Sequence, residues 1–162
     1  MKKLKIYLDT SAIGYLDEET SPKEMSDMRK LWEMIKSGEY SAVISDITLD
    51  EIRQNKNATK VETLLNYIAE ISYERISINE EISKIAEMVK QNGLIVADRH
   101  YNDRLHIGCA INIECDVMVS MNFKHLVNVA TIRGVRAISI LESNRSIDIV
   151  SPTSLIYREG ED

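Results

Sequence analysis

Two prolines, Pro22 and Pro152, and six glycines are all the strong chain-breakers in 162 residues, and no repeat or low-complexity tract lies between them. With so little punctuation there is no internal linker, and the length suits one domain with a sizeable core. The expected unit is 1–157, with Arg158 to Asp162 as a solvated tail. Cysteine is equally scarce. Cys109 and Cys115 stand in no CxxC and near no histidine at zinc spacing, which argues against a metal or disulfide framework and for reduced, partly buried thiols. Long apolar runs are missing too. The basic start Met1-Lys2-Lys3 leads into a run too short for a signal peptide or a membrane span, so the cytoplasm is the expected compartment. Positive charge is in deficit: 20 Lys and Arg stand against 26 Asp and Glu, a net −6. Indiscriminate attraction to nucleic acid is thereby disfavoured. Any such contact has to be local, on a rim where cations such as Lys23, Lys30, Arg53, Lys56, Lys124 or His125 gather.

What is present reads as globular. A hydrophobic fraction of 44% with 28% charged residues lies far from the composition of a disordered chain. Short β-branched runs at Leu4 to Leu8, Ala42 to Ile44, Arg75 to Ile78, Val117 to Ser120 and Arg136 to Ile140 predict strands. Helical spacing is expected over Lys23 to Lys36, Thr48 to Asn55, Thr59 to Ile71, Glu80 to Gln91 and Asn102 to Ile113. Such alternation predicts a single-domain, three-layer α/β/α protein whose central, mostly parallel sheet has four to five strands. The stripes Leu64, Leu65, Ile68, Ile71 and Ile82, Ile85, Ala86, Val89 fit core or subunit-contact faces. Met25, Met28, Leu31, Trp32 and Ile35 offer either core or an adaptable groove for a partner.

Ligands of parallel sheets bind beyond the carboxyl ends of the strands, which directs attention to the residues there. Asp9 ends the first strand and is followed by Thr10 and Ser11; it suits a metal ligand or a helix cap equally. Glu51 lies on the helix leaving the second strand, where it and Asp50 cannot face the same way. Asp103 opens a helix, where the dipole favours an ionised carboxylate; His106, three residues on, suits a hydrogen-bonded structural role. Asn122 follows the fourth strand, whereas Asp116, six residues earlier at about 3.3 Å each, belongs to the far edge.

Taken in order, Leu8-Asp9-Thr10-Ser11, Glu51, Asp103-x-x-His106-Ile107 and Val117-x-Val119-Ser120-x-Asn122-Phe123-Lys124-His125 resemble the PIN-domain family, in particular its prokaryotic, VapC-like toxin branch. The likeness runs from Ile6 to about Val129. It implies a ribonuclease that uses Mg²⁺ or Mn²⁺, with Asp9, Glu51 and Asp103 at the family's acidic positions and Ser11 in an ancillary role. It also implies a small antitoxin protein and a homodimer as partners. Asn122 stands where many members carry a further aspartate; its amide oxygen can coordinate a cation but brings no charge, which lowers the expected metal affinity. Oxygen-rich sites of this kind suit phosphodiester hydrolysis. A phosphatase with a nucleophilic aspartate would need an acid two residues after Asp9, where Ser11 stands, and no GxGxxG follows any strand. The rival from another class is a PIN-like module that has lost catalysis and only binds RNA or a protein.

Overall fold

Side-chain alternation along the first strand dictates the layering. In β1 (Leu4–Leu8), Ile6 and Leu8 face one way and Tyr7 the other, and all three are fully buried. A strand buried on both faces belongs inside a sheet covered by helices above and below. The computed structural model, which describes residues 2–157, has this arrangement; the tail expected at 158–162 lies outside the described residues. In β2 (Tyr40–Ser45), Ala42 and Ile44 join the Ile6 side and Val43 the Tyr7 side; in β4 (Val117–Val119), Val117 and Val119 part from Met118 in the same way.

With β3 (Tyr73–Ile76) and β5 (Asp148–Val150) the sheet has the order β3-β2-β1-β4-β5, and every pairing is parallel. Each parallel step needs a crossover, and helices supply them. The Ile6 face is covered by α1 (Thr10–Gly14), α2 (Pro22–Lys36), α4 (Ala58–Ala69) and α8 (Thr153–Ile156). On the Tyr7 face lie α5 (Glu80–Gln91), α6 (Tyr101–Asn112) and α7 (Val129–Ser143). Between β2 and β3, α3 (Asp46–Arg53) gives Ile47 to one core and Leu49 and Ile52 to the other. The result is the three-layer α/β/α architecture expected from the alternation. Because β2 and β4 flank β1 on opposite sides, strand order reverses at β1, and the crevice beyond the ends of β1 and β4 is the switch point where such sheets bind ligands.

One expected strand is a helix. Arg136 to Ile140 lies within α7, where Thr131, Val135, Ile138 and Ser139 are buried at helical spacing and Asn128 caps the first turn by accepting from Thr131 N. Its β-branched composition suggested a strand, but the buried stripe follows a period of 3.6 and the cap starts a helix. The fifth strand is the short segment Asp148–Val150 instead. Met28, Leu31, Trp32 and Ile35 of α2 are core, while Met25 is half-buried and lines an open cavity of about 300 Å³ with Pro22, Ser26, Arg29, Lys30 and Glu33. Both cysteines are free and buried, and burial pushes their thiols up to about 12.

Two details set the position of α6, which carries Asp103. Gly108 allows it to press on α5, since a Cβ there would stand 2.7 Å from the Ile82 carbonyl oxygen. Buried Arg104 donates to the carbonyls of Ile95 (2.5 Å) and Ala97 (3.0 Å), tying down the loop that enters the helix, where Ile95 adopts a left-handed φ of 48°.

Candidate active site

The polar groups singled out at the strand ends meet in one small cavity. Asp9, Thr10, Ser11, Glu51, Asp103, His106 and Asn122 line a pocket of about 270 Å³ at the switch point. A larger cavity of about 810 Å³, lined by Lys2, Lys3 and Lys5 among others, lies at the opposite edge by the starts of β1 to β3, where Glu74 and Glu70 pair with Lys5 and Lys36.

Asp9 continues β1 by donating its N–H to Val119 O, then caps α1 through Oδ1, which accepts from Ala12 N at 2.8 Å and from the Ser11 hydroxyl at 2.7 Å. Ser11 Oγ in turn accepts from Met121 N at 2.9 Å, which ties the aspartate to the backbone leaving β4. Asp9 is only 3% exposed, and burial raises its pKa despite the opposing pull of His106, Ser120, Ala12 and Ser11.

Ser45 caps α3 by accepting from Thr48 N, and this start directs Glu51 inward while Asp50 turns to solvent beside Arg53. Glu51 Oε1 accepts from the Thr10 hydroxyl at 2.8 Å and meets His106 Nε2 at 2.6 Å. His106 is 2% exposed, and its Nδ1 lies 2.6 Å from Tyr7 Oη, itself 2.8 Å from Ser45 Oγ. A carboxylate only accepts, so Nε2 donates its N–H to Glu51. Burial pushes Glu51 up, but the hydrogen bond and charge of His106, with Thr10 and Asn102, outweigh it and hold the carboxyl below its usual value. Burial keeps Tyr7 a protonated phenol.

Asp103, in the first turn of α6, is half-buried, with Oδ2 3.4 Å from His100 Nδ1. Burial raises its pKa and the Glu51 charge adds to the rise, against the pull of His106, His100 and His125. Asn122 follows β4; its Oδ1 accepts from His125 N at 3.0 Å and its own N–H donates to Ser120 Oγ. Asp116 sits at the far edge, accepting from Lys5 N and Arg145.

Although these side chains share one cavity, no group of three or more His, Cys, Asp or Glu among the described residues converges closely enough to hold one ion as the side chains stand. Asp9 and Glu51 each spend an oxygen on neighbouring donors, and like charges in a confined site stand apart.

Several neighbours of the pocket escaped the sequence reading: the Thr10 bond to Glu51, the Tyr7 bond to His106, and the tilted ring pair His100 and His125, whose ring centres are 4.0 Å apart. For Thr10 the signal was its place beside Asp9; the other two join residues 99 and 25 positions apart and leave no local trace. Of the cations expected on a rim, Lys124 and His125 do gather by the pocket, with Arg99 and His100. Lys23 and Arg53 are paired with Asp27 and Asp50 instead. Among the described residues no helix is long and apolar enough to cross a membrane.

No protein-family model matches the chain, and no curated protein matches it either. Among solved structures, the chain is similar to one chain of VapBC2 from Rickettsia felis bound to a DNA fragment from their promoter. The TM-score is 0.57 and the identity 17%, and the match covers 90% of this chain and 98% of that one. At that identity the likeness is one of fold. By fold, the chain is a PIN-like three-layer α/β/α protein.

Proposed function

We propose that this protein is a metal-dependent ribonuclease that hydrolyses RNA phosphodiester bonds, and that it is the toxin of a toxin–antitoxin pair. The observation that carries the reading is the meeting of Asp9, Glu51, Asp103 and Asn122 around one small cavity at the switch point of a PIN-like sheet. The donor chemistry fits Mg²⁺ or Mn²⁺: three carboxylates and an amide are hard oxygen ligands. Burial disfavours ionisation of Asp9 and Asp103, a cost that a divalent cation beside them would offset. Asp9, Glu51 and Asp103 would hold the ion, with Asn122 completing the set. Bound there, the ion would supply an acidified water and neutralise charge building on the phosphate. The chain's own part is orientation. Ser11 aims Asp9, and Thr10 and His106 aim Glu51.

Likeness to a chain of VapBC2 supports an antitoxin partner, and a homodimer belongs to the same reading. A second reading, a catalytically weakened module that binds RNA or a protein, draws on Asn122 and on the unconverged carboxylates. Incubating the purified protein with a mixed pool of structured RNAs in Mg²⁺, Mn²⁺ or EDTA separates the two. Cutting that needs the metal and disappears in Asp9→Asn is the expected result. Cutting absent from the wild type but present in Asn122→Asp would favour the weakened module.

A further inference from the structure

At the edge of the sheet where the strands begin, opposite the carboxylate pocket, lies a cavity of about 810 Å³. The pairing register explains it. Tyr40 is level with Leu4 of β1, but β3 starts only at Tyr73, level with Ala42, so Tyr40 and Ser41 have a partner strand on the β1 side and none on the other. The notch left by that late start is walled by the ends of α2 and α4, which bring Ile35, Lys36, Glu70 and Ile71 to it. Its floor is apolar: Ile35, Ala42, Val43 and Ile71 are buried. Tyr40 and Tyr73 lie two register positions apart, hence on one face of the sheet, and add half-buried rings. The Tyr40 hydroxyl donates to Leu155 O at 2.7 Å, which holds that ring in place.

The rim is basic. Lys2, Lys3, Lys5 and Lys36 line the cavity against two carboxylates, Glu70 and Glu74. Lys5 has a structural role, donating to Ile113 O at 2.7 Å and pairing with Glu74 at 3.4 Å. Lys36 sits in the last turn of α2, where a helix end favours a cation, and lies 3.3 Å from Glu33 and 3.5 Å from Glu70. Neither account covers Lys2 and Lys3. Both are exposed, and among the described residues neither makes an ion pair. Lys3 Nζ reaches across Gly38, 3.8 Å from where a Cβ would stand. Like charges gathered at one edge of a chain of net charge −6 repel one another, and an anion between them relieves that cost.

The volume falls within the roughly 300–1,000 Å³ of small-molecule sites, which share this build of an apolar floor with a few placed polar groups. Lysine binds phosphate as a compact point charge, and tyrosine rings over apolar side chains suit a planar base. We propose that this cavity binds a nucleoside phosphate, with Lys2, Lys3 and Lys36 on the phosphates and the base against Tyr40, Tyr73 and the apolar floor. The two sites lie at opposite ends of β1, which begins at Leu4 beside the lysines and ends at Leu8 before Asp9, so a nucleotide held here is an effector and not a substrate of the carboxylate pocket. The inference does not rest on the ribonuclease reading.

Calorimetric titration in EDTA tests it, with ADP, GDP, CDP and UDP, the matching nucleosides and pyrophosphate as ligands. EDTA removes any metal that could carry a nucleotide to the carboxylates. The proteins are the wild type, Lys2→Ser/Lys3→Ser, Lys3→Glu, Tyr73→Leu and Tyr73→Phe, with circular dichroism confirming the fold of each. At least one diphosphate should bind saturably, and more weakly as salt rises. Each lysine removed should weaken it by roughly 5- to 10-fold, between the scale of an exposed ion pair and that of a charged hydrogen bond, and the double variant by roughly 25- to 100-fold. Lys3→Glu should abolish measurable binding. Tyr73→Leu should weaken the diphosphate and leave pyrophosphate unchanged, while Tyr73→Phe behaves as wild type. No diphosphate binding, a nucleoside bound as tightly as its diphosphate, or binding retained by the double variant would overturn the proposal. Pyrophosphate bound as tightly as any diphosphate, with Tyr73→Leu without effect, would overturn the nucleoside assignment and leave a plain anion site. A 12-nucleotide RNA that displaces the diphosphate and is weakened by the same variants would overturn it in favour of a nucleic-acid surface. Failure to bind nucleotide leaves the ribonuclease reading standing, and failure to cut RNA leaves this site standing.

Discussion

His106 Nε2 meets Glu51 Oε1 at 2.6 Å, and the other ring nitrogen meets Tyr7 Oη at the same distance, so one buried imidazole spans the sheet core and the pocket wall. Removing its centre leaves the buried phenol with Ser45 alone and the part-buried carboxylate with Thr10 alone. His106→Ala is expected to lower stability by about 2–4 kcal/mol in a urea titration, and Tyr7→Phe by about 1 kcal/mol. His106→Gln, which keeps a donor toward Glu51, should recover part of the loss. Equal stability of His106→Ala and wild type would mean the chain of bonds has no mechanical role.

The pocket's acids pull stability in opposite directions with pH. Asp103 has its pKa raised in the folded state, so its ionisation removes stability as pH rises through the raised value, and the penalty vanishes below the unfolded value of about 3.9. Asp103→Asn should therefore be more stable than wild type at pH 7 without metal, by about 0.5–2 kcal/mol, with the gap closing toward pH 4. Glu51 has its pKa lowered, so its contribution is present above the unfolded value of about 4.3 and is lost as pH falls through the folded one. Glu51→Gln should be less stable at neutral pH, by about 1–2 kcal/mol, and approach wild type in acid. Melting curves from pH 3 to 8 in EDTA read both slopes.

Much of this geometry was legible because local patterns carried it. Leu4 to Leu8 ends in Asp9 with no ambiguity, and the period of α3 alone separates Glu51 from Asp50. Asp103 followed from its place in the first turn of α6. Arg136 to Ile140 misled because Ile138 and Ile140 favour strands by composition, while the stripe that decides the matter begins earlier, at Thr131. The Tyr7 to His106 bond and the His100 to His125 ring contact were out of reach for a different reason. They depend on β4 crossing to the far side of β1, a topological step that no local window contains.

Asn122→Asp should preserve its turn, because a carboxylate accepts from His125 N as the amide does. It adds a fourth negative charge to the cavity. Without metal the variant is expected to melt below wild type, and with Mg²⁺ or Mn²⁺ to recover and exceed it, since binding to the folded state alone stabilises by about 2.7 kcal/mol at 100 times Kd. A melting temperature that ignores metal in both proteins would speak against Asn122 as part of the ligand set.

Gly108→Ala tests the approach of α6 to α5. The new Cβ would fall 2.7 Å from the Ile82 carbonyl, backbone that cannot turn aside as a side chain could. A loss of about 1–3 kcal/mol is expected, with weaker metal binding if Asp103 moves with its helix. An unchanged protein would show that the two helices have room to part.

The most direct measurement is a calorimetric Mn²⁺ titration of the wild type beside Asp9→Asn, Glu51→Gln, Asp103→Asn and the triple variant. The expected result is saturable binding to the wild type, weakened at least roughly 100-fold in Asp9→Asn, beyond the 10- to 100-fold usual for partners outside the ligand shell, and absent from the triple variant. Wild-type binding that the triple variant matches would place the ion elsewhere and contradict a metal centre built from Asp9, Glu51 and Asp103.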